Sequence, residues 1–250
     1  MGNLFDFSVV LSNIPKMLAY LPVTLEITVI SAFFAILLGL LIAMIRIRQV
    51  PVLNGLSKIY VSFMRGTPII VQLYLSYYGI PMFLKYINYY NGTDYNVNKI
   101  PSILFVIITF ALNEAAFDSE SLRAAILSVD RGQLEAAHSL GMTGGQVLRR
   151  VTIPEAAVVA LPSLGNSLIN MMKGTSLAFV CSVVEMTAEG QILAGNNFRY
   201  FESYISLAII YWALTFILER ILAALEKHFS IPDTPDEKVA AKLAPKEVAA

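Results

Sequence analysis

Charge is what this sequence has least of. Only 14% of its 250 residues are Asp, Glu, Lys or Arg, against about a quarter in an average soluble domain. The 18 basic and 18 acidic residues cancel, which removes the net attraction that a nucleic-acid partner requires. A single cysteine, Cys181, excludes an internal disulfide and a thiolate metal cluster. Within "SLAFVCSVVEM" it reads as a small buried apolar residue. The two histidines, His138 and His228, lie too far apart in sequence for metal-ligand spacing, so no metal site is expected. They read as loop surface and tail. No G-x-S-x-G elbow, no H-E-x-x-H and no phosphate-cradling G-x-x-x-x-G-K-S/T is present. "MMKGTS" has Lys before Gly and lacks the earlier glycine. The opening "MGNLFDFSVVLSNIPK" lacks a basic signal-peptide start and a myristoylation Ser or Thr. It is expected to lie along a membrane face.

Apolar residues fill the space that charge leaves. They make up 56% of the chain, and mean hydropathy is +0.65. "ITVISAFFAILLGLLIAMI", Ile27 to Ile45, is free of charge and long enough to cross hydrocarbon at about 1.5 Å per residue. Further apolar runs hold Pro, Gly, Asn, Gln or Glu, which need shelter from other helices or from water. An all-α membrane protein follows, with about five transmembrane helices enclosing something polar. The spans are expected at 18–46, 59–84, 100–122, 155–186 and 202–225, after an N-terminal segment at 1–17. A charged, Pro- and Ala-rich tail at 229–250 is expected to be disordered. Tyr200, Tyr204 and Tyr211 suit an interfacial belt.

Basic residues set the orientation. Arg46, Arg48, Lys58 and Arg65 follow the first span; Arg123, Arg131, Arg149 and Arg150 follow the third; Arg220, Lys227, Lys238, Lys242 and Lys246 follow the fifth. The other gaps hold Lys16, Lys85, Lys99 and Arg199. This bias predicts an N-terminus outside and a cytoplasmic C-terminus.

Between the third and fourth spans, at 130–154, lies "DRGQLEAAHSLGMTGGQVLRRVTIP". Asp130 is expected to cap a helix with Gln133 as its capping-box partner, and Gly141 to end it in a left-handed conformation. Thr143 and Gln146 form a second box, and Pro154 is expected to end the second helix. Leu134, Ala137, His138 and Gly141 share one side of the first helix; Arg149 and Arg150 border the apolar edge of the second. The segment is either a plain tether or a rigid knob for a partner.

Polar residues inside spans are costly and mark candidate sites. Glu185 follows a charge-free run after Lys173, and helix between them would set them roughly 18 Å apart. Glu185 faces a substrate cation or makes a structural bond at the outer membrane edge. Asn166 and Asn170, four apart, with Met171 and Lys173 nearby, either line a wet cavity or bond neighbouring helices. Glu114, Asp118 and Glu120, with Arg123 to pair them, read as structure or gate. Glu26 is expected in outer solvent.

Three stretches carry a resemblance. "GQLEAAHSLGMTGGQVLRRVTIPEAAVVALP" resembles the EAA loop of importer-type ABC permeases, with Glu135, Ala136, Ala137, Gly141, Ile153 and Pro154 on its pattern. "RGTPIIVQL", Arg65 to Leu73, and "KGTSLAFVCSVVEMT", Lys173 to Thr187, resemble span signatures of polar amino acid permeases. The order agrees from about Leu21 to Leu225. Gly174, and Phe117 in "AFDSESLRAA", depart from the family pattern. The resemblance implies a type I importer permease bundle whose coupling loop docks on a separate ATPase. Gln133, Glu135, Ala136, Ala137, Gly141, Arg149, Ile153 and Pro154 would form that coupling surface. Glu185, Asn166, Asn170, Met171, Lys173, Thr175 and Ser176 would line the substrate path. The implied partners are two ABC ATPase subunits, a second permease copy or homologue, an extracellular solute-binding protein and a polar amino acid, with cystine or a basic one preferred. The implied location is the bacterial cytoplasmic membrane. ATP and Mg would be bound by the ATPase, leaving no cofactor and no catalytic residue here. A carrier or channel working without ATP is the alternative.

Overall fold

The computed structural model describes residues 5–229, and the expected tail beyond Phe229 lies outside the described residues. They form ten α-helices in order: α1 (Phe7–Leu18), α2 (Leu21–Ile47), α3 (Leu53–Gly66), α4 (Ile69–Asn91), α5 (Ser102–Leu127), α6 (Arg131–Ser139), α7 (Gly144–Val147), α8 (Ile153–Gly174), α9 (Met186–Asn197) and α10 (Tyr200–Phe229). No strand occurs among the described residues.

The centre is the α2–α5 pair. In lipid no water is expelled between helices, so close contact and hydrogen bonds hold them. Gly39 permits that contact: a Cβ there would sit 3.1 Å from Asp118 Cβ and 3.2 Å from the Ser119 nitrogen. The two helices run parallel, since the Ser31 hydroxyl donates to the Ile107 carbonyl at 3.3 Å while Arg46 pairs with Glu120 about four turns on along both helices. Helix α8 returns antiparallel along α5, with Ser163 donating to Ser121 at 2.8 Å and Ser167 to Asp118 at 3.0 Å.

Three helices, α2, α5 and α10, are long and apolar enough to cross a membrane, and the bent unit of 144–181 with α9 makes a fourth. The expected second span differs. Helix α4 starts apolar, but Lys85, Asn88 and its run of tyrosines dilute its far half. Its elbow with α3 is tied by Gln72, whose amide donates to the Met64 carbonyl at 2.9 Å and the Thr67 hydroxyl at 2.7 Å. Asn113 of α5 donates to Gln72 at 3.0 Å, so three segments share one buried amide network. That is what the "RGTPIIVQL" stretch builds.

Two expectations are corrected. Pro154 does not end a helix. Between α7 and α8 the backbone opens into a π turn, Leu148–Thr152, where the Ile153 amide reaches back to the Leu148 carbonyl. Pro154 sits in the first turn of α8. A proline lacks the amide and crowds the carbonyl four residues back; the wider turn relieves both. Tyr211, assigned to an interfacial belt, instead turns inward, its hydroxyl 2.9 Å from that of Thr187.

Candidate functional site

The 130–154 segment is a built hairpin. Asp130 caps α6 by accepting from the Gly132 amide. Gly141, at φ +79°, closes it. The Gly141 amide donates to His138 at 2.9 Å and the Met142 amide to Ala137 at 3.2 Å, the paired bonds of a Schellman end. Helix α7 then opens with a capping box in which the Thr143 amide donates to Gln146 at 2.8 Å. No such reciprocal bond joins Gln133 to Asp130, whose side chain takes Gly132 instead.

The hairpin is docked on the bundle through apolar contacts. Leu134 packs on Ala125, Val129, Ala156 and Ala160, while Ala137 and Val147 are buried. Leu134 and Ala137 therefore face inward. Gln133, Glu135, Ala136, Gly141, Arg149, Ile153 and Pro154 remain exposed. So does Leu140 at the tip, 81% exposed. Thr143, Gly145, Gln146, Arg149 and Arg150 line a concavity of about 540 Å³.

The membrane residues separate into two sets. Asn166, Asn170 and Lys173 recur at four and three residues along α8 and are exposed, with Ser176 partly so. Met171, Thr175 and Glu185 are sealed, at 2%, 0% and 0% exposure. Lys173 and Glu185 are not joined by regular helix. A 3-10 turn, Thr175–Cys181, follows α8, and Ser182 takes φ +60°. An extended link then leads into α9, bent by 55° from the preceding helix.

Glu185 caps α9. Its carboxylate accepts the Thr187 amide at 2.7 Å and the Ala188 amide at 2.9 Å. It also accepts the Tyr211 hydroxyl of α10 at 3.2 Å and the Thr24 hydroxyl of α2 at 3.4 Å. Two amides at a helix start, aided by the helix dipole, suit a carboxylate. Both carboxylate oxygens are thus engaged within the bundle. The sequence did not single out Thr24, and it marked Tyr211 only for an interfacial belt; polarity on an apolar helix was the one hint of an inward role.

Glu120, Arg46 and Arg123 form one ion-pair group, with Arg123 to Glu120 at 3.0 Å. Glu114 and Asp118 instead face an apolar cavity of about 200 Å³ beside Gly165, Ser167 and Leu222. Gly174 has a packing reason, because a Cβ there would lie 3.1 Å from the Phe110 ring. Phe117 carries the Arg65 guanidinium 5.2 Å from its ring centre. His138 is exposed on the hairpin, and its Nδ1 lies 3.2 Å from the Met142 carbonyl. No group of three or more His, Cys, Asp or Glu among the described residues is arranged to hold a metal ion.

Comparison with known proteins agrees with this architecture. Residues 35–231 match the family described as binding-protein-dependent transport system inner membrane component. The chain is 42% identical over 217 residues to a probable amino-acid ABC transporter permease of Vibrio harveyi, covering 87% of this chain and 93% of that protein. It is 41% identical over 227 residues to an L-cystine transport system permease of Bacillus subtilis, covering 91% and 92%. A glutamine transport system permease of Escherichia coli is 32% identical over 227 residues, covering 91% and 99%. A solved amino acid ABC transporter with histidines superposes with TM-score 0.76 at 33% identity, covering 90% of this chain and 99% of that one. The chain belongs to the binding-protein-dependent transport inner membrane component family, as an amino-acid ABC transporter permease subunit.

Proposed function

We propose that this subunit forms half of the path of an ATP-driven importer for a polar amino acid, and that the 130–154 hairpin takes force from a separate ATPase. The carrying observation is the hairpin itself: rigidly capped, seated on the bundle by Leu134 and Ala137, yet presenting Glu135, Ala136, Leu140 and Ile153 outward. A plain tether needs none of these caps. Glu135 gives that surface a charged acceptor, and charge-assisted bonds are the stronger kind. Gln133, Gly141, Arg149 and Pro154 complete the exposed face, and Ala137 fixes it from below.

In this reading two ATPase subunits bind ATP and Mg at the cytoplasmic side. A second permease copy or homologue supplies the other half of the path, and an extracellular solute-binding protein delivers the amino acid. The basic-residue bias supports an outside N-terminus and a cytoplasmic C-terminus. Asn166, Asn170 and Lys173, with Ser176, line the path from one face of α8, where amides and an ammonium meet a zwitterion's carboxylate. Met171, Thr175 and Glu185 shape its wall from behind. Cystine or a basic amino acid is the favoured cargo, supported by the likeness to an L-cystine permease.

Reconstitution in vesicles tests this. The chain with its ATPase and binding protein is expected to take up amino acid only when ATP is supplied. Glu135→Arg is expected to lose the co-purifying ATPase while leaving the chain folded. Uptake by the chain alone would favour the ATP-independent carrier instead.

A further inference from the structure

The break between Cys181 and Met186 falls on a seam between two packed units. On its near side, Ala178, Cys181 and Val183 pack with Ile27, Leu73, Val106 and Phe110. Polar bonds add to this: the Cys181 thiol lies 3.8 Å from the Leu73 carbonyl, and Ser182 and Tyr77 hydroxyls are 3.4 Å apart. On its far side, Met186 packs with Met17, Leu207 and Ile210. A Cβ on Gly190 would lie 2.7 Å from Leu207, so α9 lies hard against α10. Ser182, a non-glycine residue at φ +60°, is the strained point between them.

We propose that Ser182–Val184 is a hinge in the fourth span, and that Glu185 is the positioning residue that fixes α9 to the α1–α10 unit across it. Three facts combine in this assignment. Helical bonding ends at the seam: the last amides of the 3-10 turn, Ser182 to Phe179 at 2.9 Å and Val183 to Ala178 at 3.4 Å, close it, and Glu185 is extended before α9 begins. The hydrophobic contacts change partners there. A sealed carboxylate gathers the α9 start, Tyr211 of α10 and Thr24 of α2 at one point. A transport cycle needs helices to move as units, with a few element-terminal residues absorbing the change. Glu185 keeps α9 in register with α10 while the 3-10 segment stays with α4 and α5. The residue acts through these partners and touches no substrate.

Hydrogen exchange on the full-length chain in lipid nanodiscs tests the hinge without any transport assay. Tyr211→Phe and Thr24→Val each delete one donor to Glu185, and Glu185→Ala deletes the acceptor. Each is expected to speed exchange in 186–190 by about tenfold, while 175–181 stays as in the unsubstituted chain. Joint loosening of both segments, or no loosening in any variant, overturns the proposal. Should Glu185→Ala fail to fold, the two single-donor variants decide alone. The kinetic arm rests on the transport reading and uses the complete ATP-driven transporter. There Tyr211→Phe and Glu185→Gln are expected to lower maximal uptake about fivefold with KM held within about twofold. A KM rise above about tenfold with altered amino acid preference makes Glu185 a substrate contact and overturns the positioning role. Absence of ATP-driven uptake in the unsubstituted complex would sink the transport reading, and the exchange arm would still judge the hinge.

Discussion

The hairpin at 130–154 and the break at 182–185 both interrupt the helical bundle, and they are held by opposite means. The hairpin is stabilised by neighbours in sequence: Asp130 with Gly132, Gly141 with His138, Thr143 with Gln146. The break has a local cap of its own, Glu185 on the Thr187 and Ala188 amides, but adds partners from afar. Thr24 lies 161 residues from Glu185 in the chain and Tyr211 lies 26 away, yet both reach its carboxylate. One region can be read by inspection of its 25 residues; the other is complete only once α2, α9 and α10 are assembled. A local device can present a constant shape to a partner through the cycle. A remote device ties its geometry to how the helices stand, which is what a moving part requires.

The largest effect that separates the two is expected from Glu185→Ala. It strands two amides and the Thr24 hydroxyl in the bundle interior, each costing about 1–3 kcal/mol when unsatisfied, while the Tyr211 hydroxyl keeps Thr187. Partial relaxation brings the expected loss to about 3–5 kcal/mol, read as a fall in the denaturation midpoint of the purified chain in detergent. The hairpin should be untouched, with unchanged ATPase capture by whatever fraction remains folded. Loss of capture in that folded fraction would break the distinction.

Gly141→Val comes next and strikes the other region. A β-branched residue at φ +79° is strained by about 1–2 kcal/mol. Nothing lies within 4 Å of a Cβ there, so backbone conformation is the whole cost. Global stability is expected to stay near that of the unsubstituted chain, while ATPase capture weakens. Thr143→Ala should follow at about 1 kcal/mol, with faster exchange at Gln146 and Val147 and none at α9.

The same division decides what the sequence makes legible. Asp130, Gly141 and the Thr143–Gln146 box announce the hairpin because capping is short-range chemistry. The long apolar run of α2 likewise announces a span. Pro154 misleads, because the π turn before it depends on the helix continuing onto α5. Tyr211 misleads too: its ring suits an interface, and only the packing of α9 turns its hydroxyl to Thr187 and Glu185. Glu185 itself stands out as costly; two of its donors are the cap amides of its own helix start, but the Thr24 and Tyr211 hydroxyls come from helices that no spacing rule joins to it. Asn166 and Asn170 lie on one exposed face as their spacing implies, whereas neighbouring Met171 and Thr175 point to the core.

The smallest expected effect lies at Asp6, a local device like those of the hairpin, in the solvent-accessible start of α1. Its Oδ1 accepts the Ser8 hydroxyl at 2.6 Å and the Ser8 amide at 2.9 Å. The hydroxyl bond chiefly, and the amide bond after it, hold its carboxyl below the ordinary value of 3.8. A carboxyl depressed by folding stabilises the fold above its unfolded pKa and loses that contribution as pH falls through the folded value. The Ser8 amide shift should therefore stay flat from neutral pH down to about 4.5 and move only in stronger acid. Asp6→Asn keeps an N-cap acceptor without a titrating proton, so the shift should lose its acid dependence while α1 remains helical. If the Ser8 signal still titrates in that variant, the acid response belongs to a partner of α1, such as Glu202, whose carboxylate accepts the Asp6 amide at 3.2 Å. The start of α1 would then share the remote construction of the break.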